Sequence, residues 1–215
     1  GLTLTVLGPT PDVLANFIPK WQEEVAEALA KGKLSEVSPG LEAMGPREPP
    51  DLILPNDLQD LANESQKQDH SKANGSSIVL LLEYEGRKIL LAGDAHHDDL
   101  IDGLQAVADD DKIHLDLFKL PHHGSKNNIS KELIEAVDCD YWLISTDGTQ
   151  FRHPDPVALA RIIEFSTIQP PTIGFNVEST FSGWWKNPDW QAMYKYETEY
   201  GDNTDGLTLV FPHMD

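Results

Sequence analysis

Cysteine is all but missing from this chain, with Cys139 alone among 215 residues. One thiol cannot close an internal disulfide, and it excludes both a secreted disulfide scaffold and a cysteine-rich zinc site. It suits a reducing compartment, so the expected location is the cytoplasm. Positive charge is scarce too. Lys and Arg number 16 against 36 Asp and Glu, a formal net charge of −20. Broad grip on nucleic acid needs basic stripes, which such a composition does not supply. No apolar run reaches the roughly 20 residues of a membrane-spanning helix, and no signal-peptide pattern opens the chain, so no membrane partner is expected. The motifs G-x-S-x-G, C-x-x-C, H-E-x-x-H and G-x-G-x-x-G are absent as well. Nucleophile elbows, zinc ribbons, zincins and dinucleotide folds therefore have no support.

What remains is a globular composition, 40% hydrophobic and 24% charged, long enough for one domain with a full core. Leu2 to Leu7 alternate as a strand, ended by Gly8-Pro9-Thr10-Pro11. A natural domain rarely opens in mid-strand, and the expectation is a piece that lacks an upstream portion. Leu14, Ile18, Trp21, Val25 and Leu29 form a helical stripe, with a kink or a restart expected at Pro19. Residues 31–76 are rich in Pro and polar types, with short elements conceivable only at Leu52–Leu54 and Leu58–Leu61. This long loop is either an excursion or a cover for a site.

Regular structure returns at Ser77–Tyr84, a strand that turns at Glu85-Gly86 into a second strand, Lys88–Ala92. A helix is predicted over Asp98–Val107, a strand over Leu115–Leu120, a helix over Lys131–Val137 capped by Ser130, and a strand over Tyr141–Ile144. Asp155 is placed to cap a helix that starts at Pro156 and runs to Phe165. Thr172–Val177, Met193–Thr198 and Leu207–Phe211 read as late strands. Alternating strands and helices specify an α/β layered fold.

Two of these strands stop on residues able to hold a metal: Gly93-Asp94-Ala95-His96-His97 and Pro121-His122-His123-Gly124-Ser125. Five of the eight histidines lie between His96 and His123. Hydrolase metal sites use imidazole and carboxylate donors that rigid elements place around an open position for water. A strand-end Asp94 is as easily a turn former, and His96-His97 can simply open a surface helix. Both strand ends together favour a metal role. Ser125, His153 and Asp147 can be drawn as a triad, but nothing in their spacing fixes it. Lys119, Lys126 and Lys131 make a local basic patch that is either an anion site or a solvated edge. His153-Pro154 sits just before a helix, where the ring can reach a phosphate or simply pack.

Asn74-Gly75-Ser76-Ser77 with the strand after it, Leu91-Ala92-Gly93-Asp94, Lys119-Leu120-Pro121-His122-His123-Gly124-Ser125-Lys126 and His153-Pro154 occur in an order that resembles the metallo-β-lactamase superfamily. Within it, the order resembles the branch related to the soluble domain of the DNA-uptake protein ComEC. The resemblance spans about Leu2 to Ile163. It implies an αβ/βα sandwich, of which this chain is the C-terminal half, holding one or two zinc or manganese ions and hydrolysing an ester, amide or phosphodiester. Asp94 matches the bridging aspartate, and His122 or His123 the last histidine ligand, with His123 favoured. The superfamily's H-x-H-x-D-H cluster appears nowhere in the chain. Asp94 and His123 alone are too few for a catalytic zinc, which takes three protein ligands plus water.

The expectation is thus a metal-dependent hydrolase with metal ligands Asp94, His122 and His123. Asp94 and His153 take the catalytic roles, and Ser125 and Lys126 orient an anionic or phosphoester substrate. This chain by itself is expected to be inactive. Its partner is the missing N-terminal half, and without that half a two-fold homodimer is expected. The alternative is a non-catalytic interaction module with an incomplete metal site.

Overall fold

The computed structural model describes residues 1–32, 58–108, 111–202 and 204–212. Its backbone is a hairpin extended by parallel strands. β2 (Val79–Tyr84) and β3 (Arg87–Leu91) are joined by a two-residue turn in which Glu85 and Gly86 both take positive φ, 49° and 80°, as a type I′ hairpin requires. β1 (Thr3–Gly8) pairs antiparallel with β2, with Leu4 opposite Leu82. On the other side of β3 the strands run parallel: β5 (Leu117–Lys119), β7 (Tyr141–Ile144), β8 (Thr172–Phe175) and β9 (Glu197–Tyr200). The seven-stranded order is β1-β2-β3-β5-β7-β8-β9. A small parallel ladder, β4 (Ile113–Leu115) with β6 (Val137–Cys139), lies apart from it.

The register sets the two faces. Leu81, Leu90, Phe118, Trp142 and Ile173 are cross-strand partners and therefore share one face. All are buried, in one core with α2 (Leu58–Ala62), α4 (His97–Gln105), α5 (Lys131–Glu135) and α6 (Pro156–Phe165). α6 carries Arg161, buried and fully used. Its guanidinium donates to the carbonyl oxygens of Ala62, Glu64, Lys126 and Ile129 and to Gln66 Oε1, tying residues 62–66 to the turn after the histidine pair.

Several expectations change. The first helix, α1 (Pro11–Ala30), does not restart at Pro19. Thr10 caps it, Pro11 takes its first position, and it runs through Pro19. Its predicted stripe is largely exposed at Leu14, Ile18, Trp21 and Leu29. The strand predicted over Leu115–Leu120 is two strands in two sheets. Asp116 divides them, because its carboxylate accepts from Lys88 N and pairs with Arg87. Met193–Thr198 is instead the end of a helix, α7 (Pro188–Tyr194), and the start of β9, since Asn187 caps α7 and Lys195 ends it in the left-handed region. Leu207–Phe211 belongs to no strand of the described residues. Within residues 31–76, Leu52–Leu54 lies outside the described residues, Leu58–Leu61 falls in α2, and Ser71 caps a further short helix, α3 (Lys72–Gly75). The chain is of the α/β class.

Candidate functional site

β3 and β5 are parallel neighbours, so they deliver their following residues to the same edge of the sheet, the carboxyl edge where open α/β sheets build sites. After β3, Gly93 adopts φ 55° and leads into Asp94, whose N–H donates to Ser77 Oγ at 3.0 Å. After β5, His122 N donates to Gly93 O at 3.0 Å, stitching the two strand ends together. His122 and His123 are both left-handed, with φ 45° and 55°. Two consecutive non-glycine residues in that region are costly, and such strain concentrates at functional sites. Gly124 follows at φ 84°. A Cβ there would sit 2.8 Å from Pro154 Cβ, so glycine lets the histidine turn meet His153-Pro154 closely.

The imidazoles converge. His123 Nδ1 donates to Ser145 O at 2.6 Å, which turns Nε2 outward, 3.9 Å from Asp94 Oδ1. Both side chains are partly open to solvent, 44% and 40% exposed. The His122 ring centroid lies 6.4 Å from that of His123 and 5.5 Å from that of His153, both edge-on. His153 has Nδ1 3.6 Å from Asp155 Oδ2. Burial lowers its pKa, opposed by Asp155 and assisted by the neighbouring His122 and His123, so the neutral ring is favoured. Lys119, the last residue of β5, is also lowered by burial and opposed by the nearby Asp94 carboxylate.

A carboxylate missed in the sequence sits behind this group. Asp69, in the stretch between α2 and α3, accepts from Asn74 Nδ2 at 2.7 Å, Ser71 N at 2.8 Å and Asn128 Nδ2 at 3.0 Å. Burial raises its pKa, yet these hydrogen bonds outweigh that and hold it at about 2. His96 Nε2 is 3.8 Å from the same carboxylate, with its ring against Gly75, where a Cβ would come within 2.7 Å. His97 is buried and pairs with Asp98.

The other candidates are placed differently. Ser125 is 3% exposed, and its hydroxyl accepts from Asn127 N, so it shapes the turn. Lys126 gives its N–H to Asp155 and its ammonium to Glu64. Lys131 pairs with Glu135. The Ser125, His153 and Asp147 trio is not assembled: Asp147 holds Thr149, and His153 faces Asp155.

Among the described residues, one trio of His and Asp brings three donor atoms within 4.8 Å of one another: His114 of β4 with Asp116 and Asp140, which stand just before β5 and β7 at the opposite edge. Asp116 is already engaged there by Arg87 and by Lys88 N. At the carboxyl edge, Asp94 and His123 gain no third donor at that spacing among the described residues. Their chemistry nevertheless fits a divalent cation. An anionic oxygen faces an imidazole whose other nitrogen is fixed on a carbonyl, which is how ligating histidines are held.

No protein-family model matches the chain. It is 30% identical over 106 residues to ComE operon protein 3 of Bacillus subtilis (strain 168), a stretch covering 48% of this chain and 13% of that protein. The matched stretch is thus a small part of a much longer relative. No helix of the described residues is long and apolar enough to cross a membrane.

Proposed function

We propose that this chain carries part of the metal site of a metal-dependent hydrolase, related to the metallo-β-lactamase-fold nucleases and phosphodiesterases. The observation that carries the reading is the meeting of two parallel strand ends. They set Asp94 Oδ1 3.9 Å from His123 Nε2, with His123 Nδ1 committed to Ser145 O. The partial match to ComE operon protein 3 supports it. Asp94 and His123 would hold a zinc or manganese ion, with His122 and His153 within reach of the same cleft. When bound, such an ion polarises a phosphoryl or carbonyl oxygen and lowers the pKa of water toward about 7.

The chain's own groups have separate roles. Burial favours the neutral ring of His153, which suits it to accept a proton, while Lys119, whose ammonium the nearby Asp94 carboxylate favours, would meet an anionic substrate. Lys126, engaged by Glu64, is free for a substrate only if that pair opens. The fold in this reading is one layer of an αβ/βα sandwich, its helices sealing one sheet face and its other face meeting a second layer. That layer is a further segment of a longer protein or, without it, a second copy of this chain. The location is the cytoplasm.

The lack of a third donor at that spacing among the described residues favours a second reading, a non-catalytic interaction module with a vestigial site. Calorimetric titration with zinc or manganese separates the two. The hydrolase reading expects weak binding to the isolated chain and loss of it in Asp94→Ala and His123→Ala. Hydrolysis of a chromogenic phosphodiester should be negligible for the chain alone and, in the longer protein, abolished by Asp94→Ala. Equal metal binding by all three forms, or wild-type activity in Asp94→Ala, removes Asp94 from the site.

A further inference from the structure

We infer that Asn128 and Asp69 are positioning residues that hold His122 with its hydrogen on Nδ1, so that Nε2 is presented to the cleft as a free lone pair. This rests on the metal-site reading. Asn128 is fully buried in the turn after the histidine pair. Its amide nitrogen faces three oxygens: Asp69 Oδ2 at 3.0 Å, Ala95 O at 3.2 Å and Asp94 O at 3.3 Å. A nitrogen there donates, whereas the flipped amide would set oxygen against oxygen three times over. The amide orientation is therefore fixed. Its Oδ1 then faces His122 Nδ1 at 3.0 Å, and since a carbonyl oxygen can only accept, the ring nitrogen carries the hydrogen.

Asp69 acts in the same direction. Its Oδ2 lies 3.4 Å from His122 Nδ1, and a negative oxygen favours N–H on that side of the ring. The other amide near Nδ1, Asn74 Nδ2 at 3.4 Å, spends its better hydrogen bond on Asp69 at 2.7 Å. A neutral imidazole with hydrogen on Nδ1 keeps its lone pair on Nε2, the form that ligates a cation or takes a proton there. His123 is set the same way by Ser145 O. The consecutive histidines thus share one tautomer through two unrelated acceptors. Residues 63–71 gain a purpose as well, since they bring Asp69 to the back of the site.

Nitrogen-detected NMR of the imidazoles in the full chain tests this at about pH 8.5, where an ordinary histidine is neutral. Wild type should show a protonated Nδ1 and a pyridine-like Nε2 for His122. Asn128→Leu should lose that preference. Zinc affinity should fall about 10–100-fold in Asn128→Leu, with backbone amide spectra confirming the fold. Asp69→Asn gives a second reading of the tautomer should the leucine variant not fold. Hydrogen on Nε2 of wild-type His122, or an unchanged tautomer in both Asn128→Leu and Asp69→Asn, overturns the inference. The expected tautomer in a chain that binds no zinc leaves it standing and removes the hydrolase reading instead.

Discussion

The same strands build two very different sheet faces. On one, Leu90, Phe118, Trp142, Ile144 and Ile173 are sealed, and Phe175 nearly so. On the other, the partners Leu4 and Leu82, Val6 and Leu80, Leu80 and Leu91, and Leu82 and Ile89 form an apolar field across β1–β3. Leu4 and Val6 are 56% and 63% exposed there, and the rest are half-buried. Toward β9 this second face changes character. Tyr141 lies across Gly174 and donates to Glu199, and Glu197 points out beside Thr172. The C-terminal residues cover part of the field: Phe211 and Pro212 line a cavity of about 210 Å³ with Leu2, Leu82 and Ile89, and Arg87 donates to Pro212 O. Runs that are apolar on both faces do not by themselves say which face a chain can cover. Here the helices settle it, and the continuous core lies on one side.

The largest expected contrast is in stability. Trp142→Ala on the sealed face should cost about 3–5 kcal/mol, whereas Val6→Ala on the open face should cost well under about 1 kcal/mol, read by urea denaturation. Comparable losses at both positions would mean the faces are equally packed. Next comes Arg161, the polar tie beneath the sealed side. Arg161→Ala strands four carbonyl acceptors and should cost about 3 kcal/mol or more. A near-neutral result would mean water replaces the guanidinium.

Association is a third test. Apolar surface is worth roughly 25 cal/mol per Å² buried, and charge repulsion is screened beyond about 8 Å at physiological salt. The isolated chain should therefore sediment as a dimer at about 0.15 M salt, and Val6→Glu should return it to monomer. A stable wild-type monomer would mean the chain's own segments suffice to cover the open face. The smallest effect concerns Cys139. Burial pushes its thiol pKa well up, with the Tyr141 carbonyl opposing only in part, so the neutral thiol is favoured. Alkylation of the folded chain should be slow and should not accelerate between about pH 7 and 9, as an exposed thiol of pKa near 8.5 would. Rapid modification would mean that the sealed side opens.

Legibility in the sequence followed the same division. Strands whose apolar pattern is bounded by turn residues, such as Val79–Tyr84 and Tyr141–Ile144, and a helix announced by Asp155-Pro156, could be read directly. Asp94 and the histidine pair were visible because glycine and proline punctuate the strand ends. Asp116 was not legible as a divider, since only a distant Arg87 and the Lys88 amide give it that role. α1 misled because periodicity reports an apolar stripe and not what covers it. Asp69 and Asn128 were missed because their meaning lies in contacts 59 residues apart, in segments with no periodic pattern. Ser125, read as a substrate-orienting residue, is buried and accepts from Asn127 N within its own loop.

The most direct test of the central claim, that the carboxyl edge and not the opposite edge holds a cation, is the imidazole nitrogen spectrum during zinc titration. His123 Nε2, joined by His122 Nε2, should lose its pyridine-like resonance while His114 is unmoved. If His114 responds first, or if no histidine responds at all, the carboxyl edge is not a metal site.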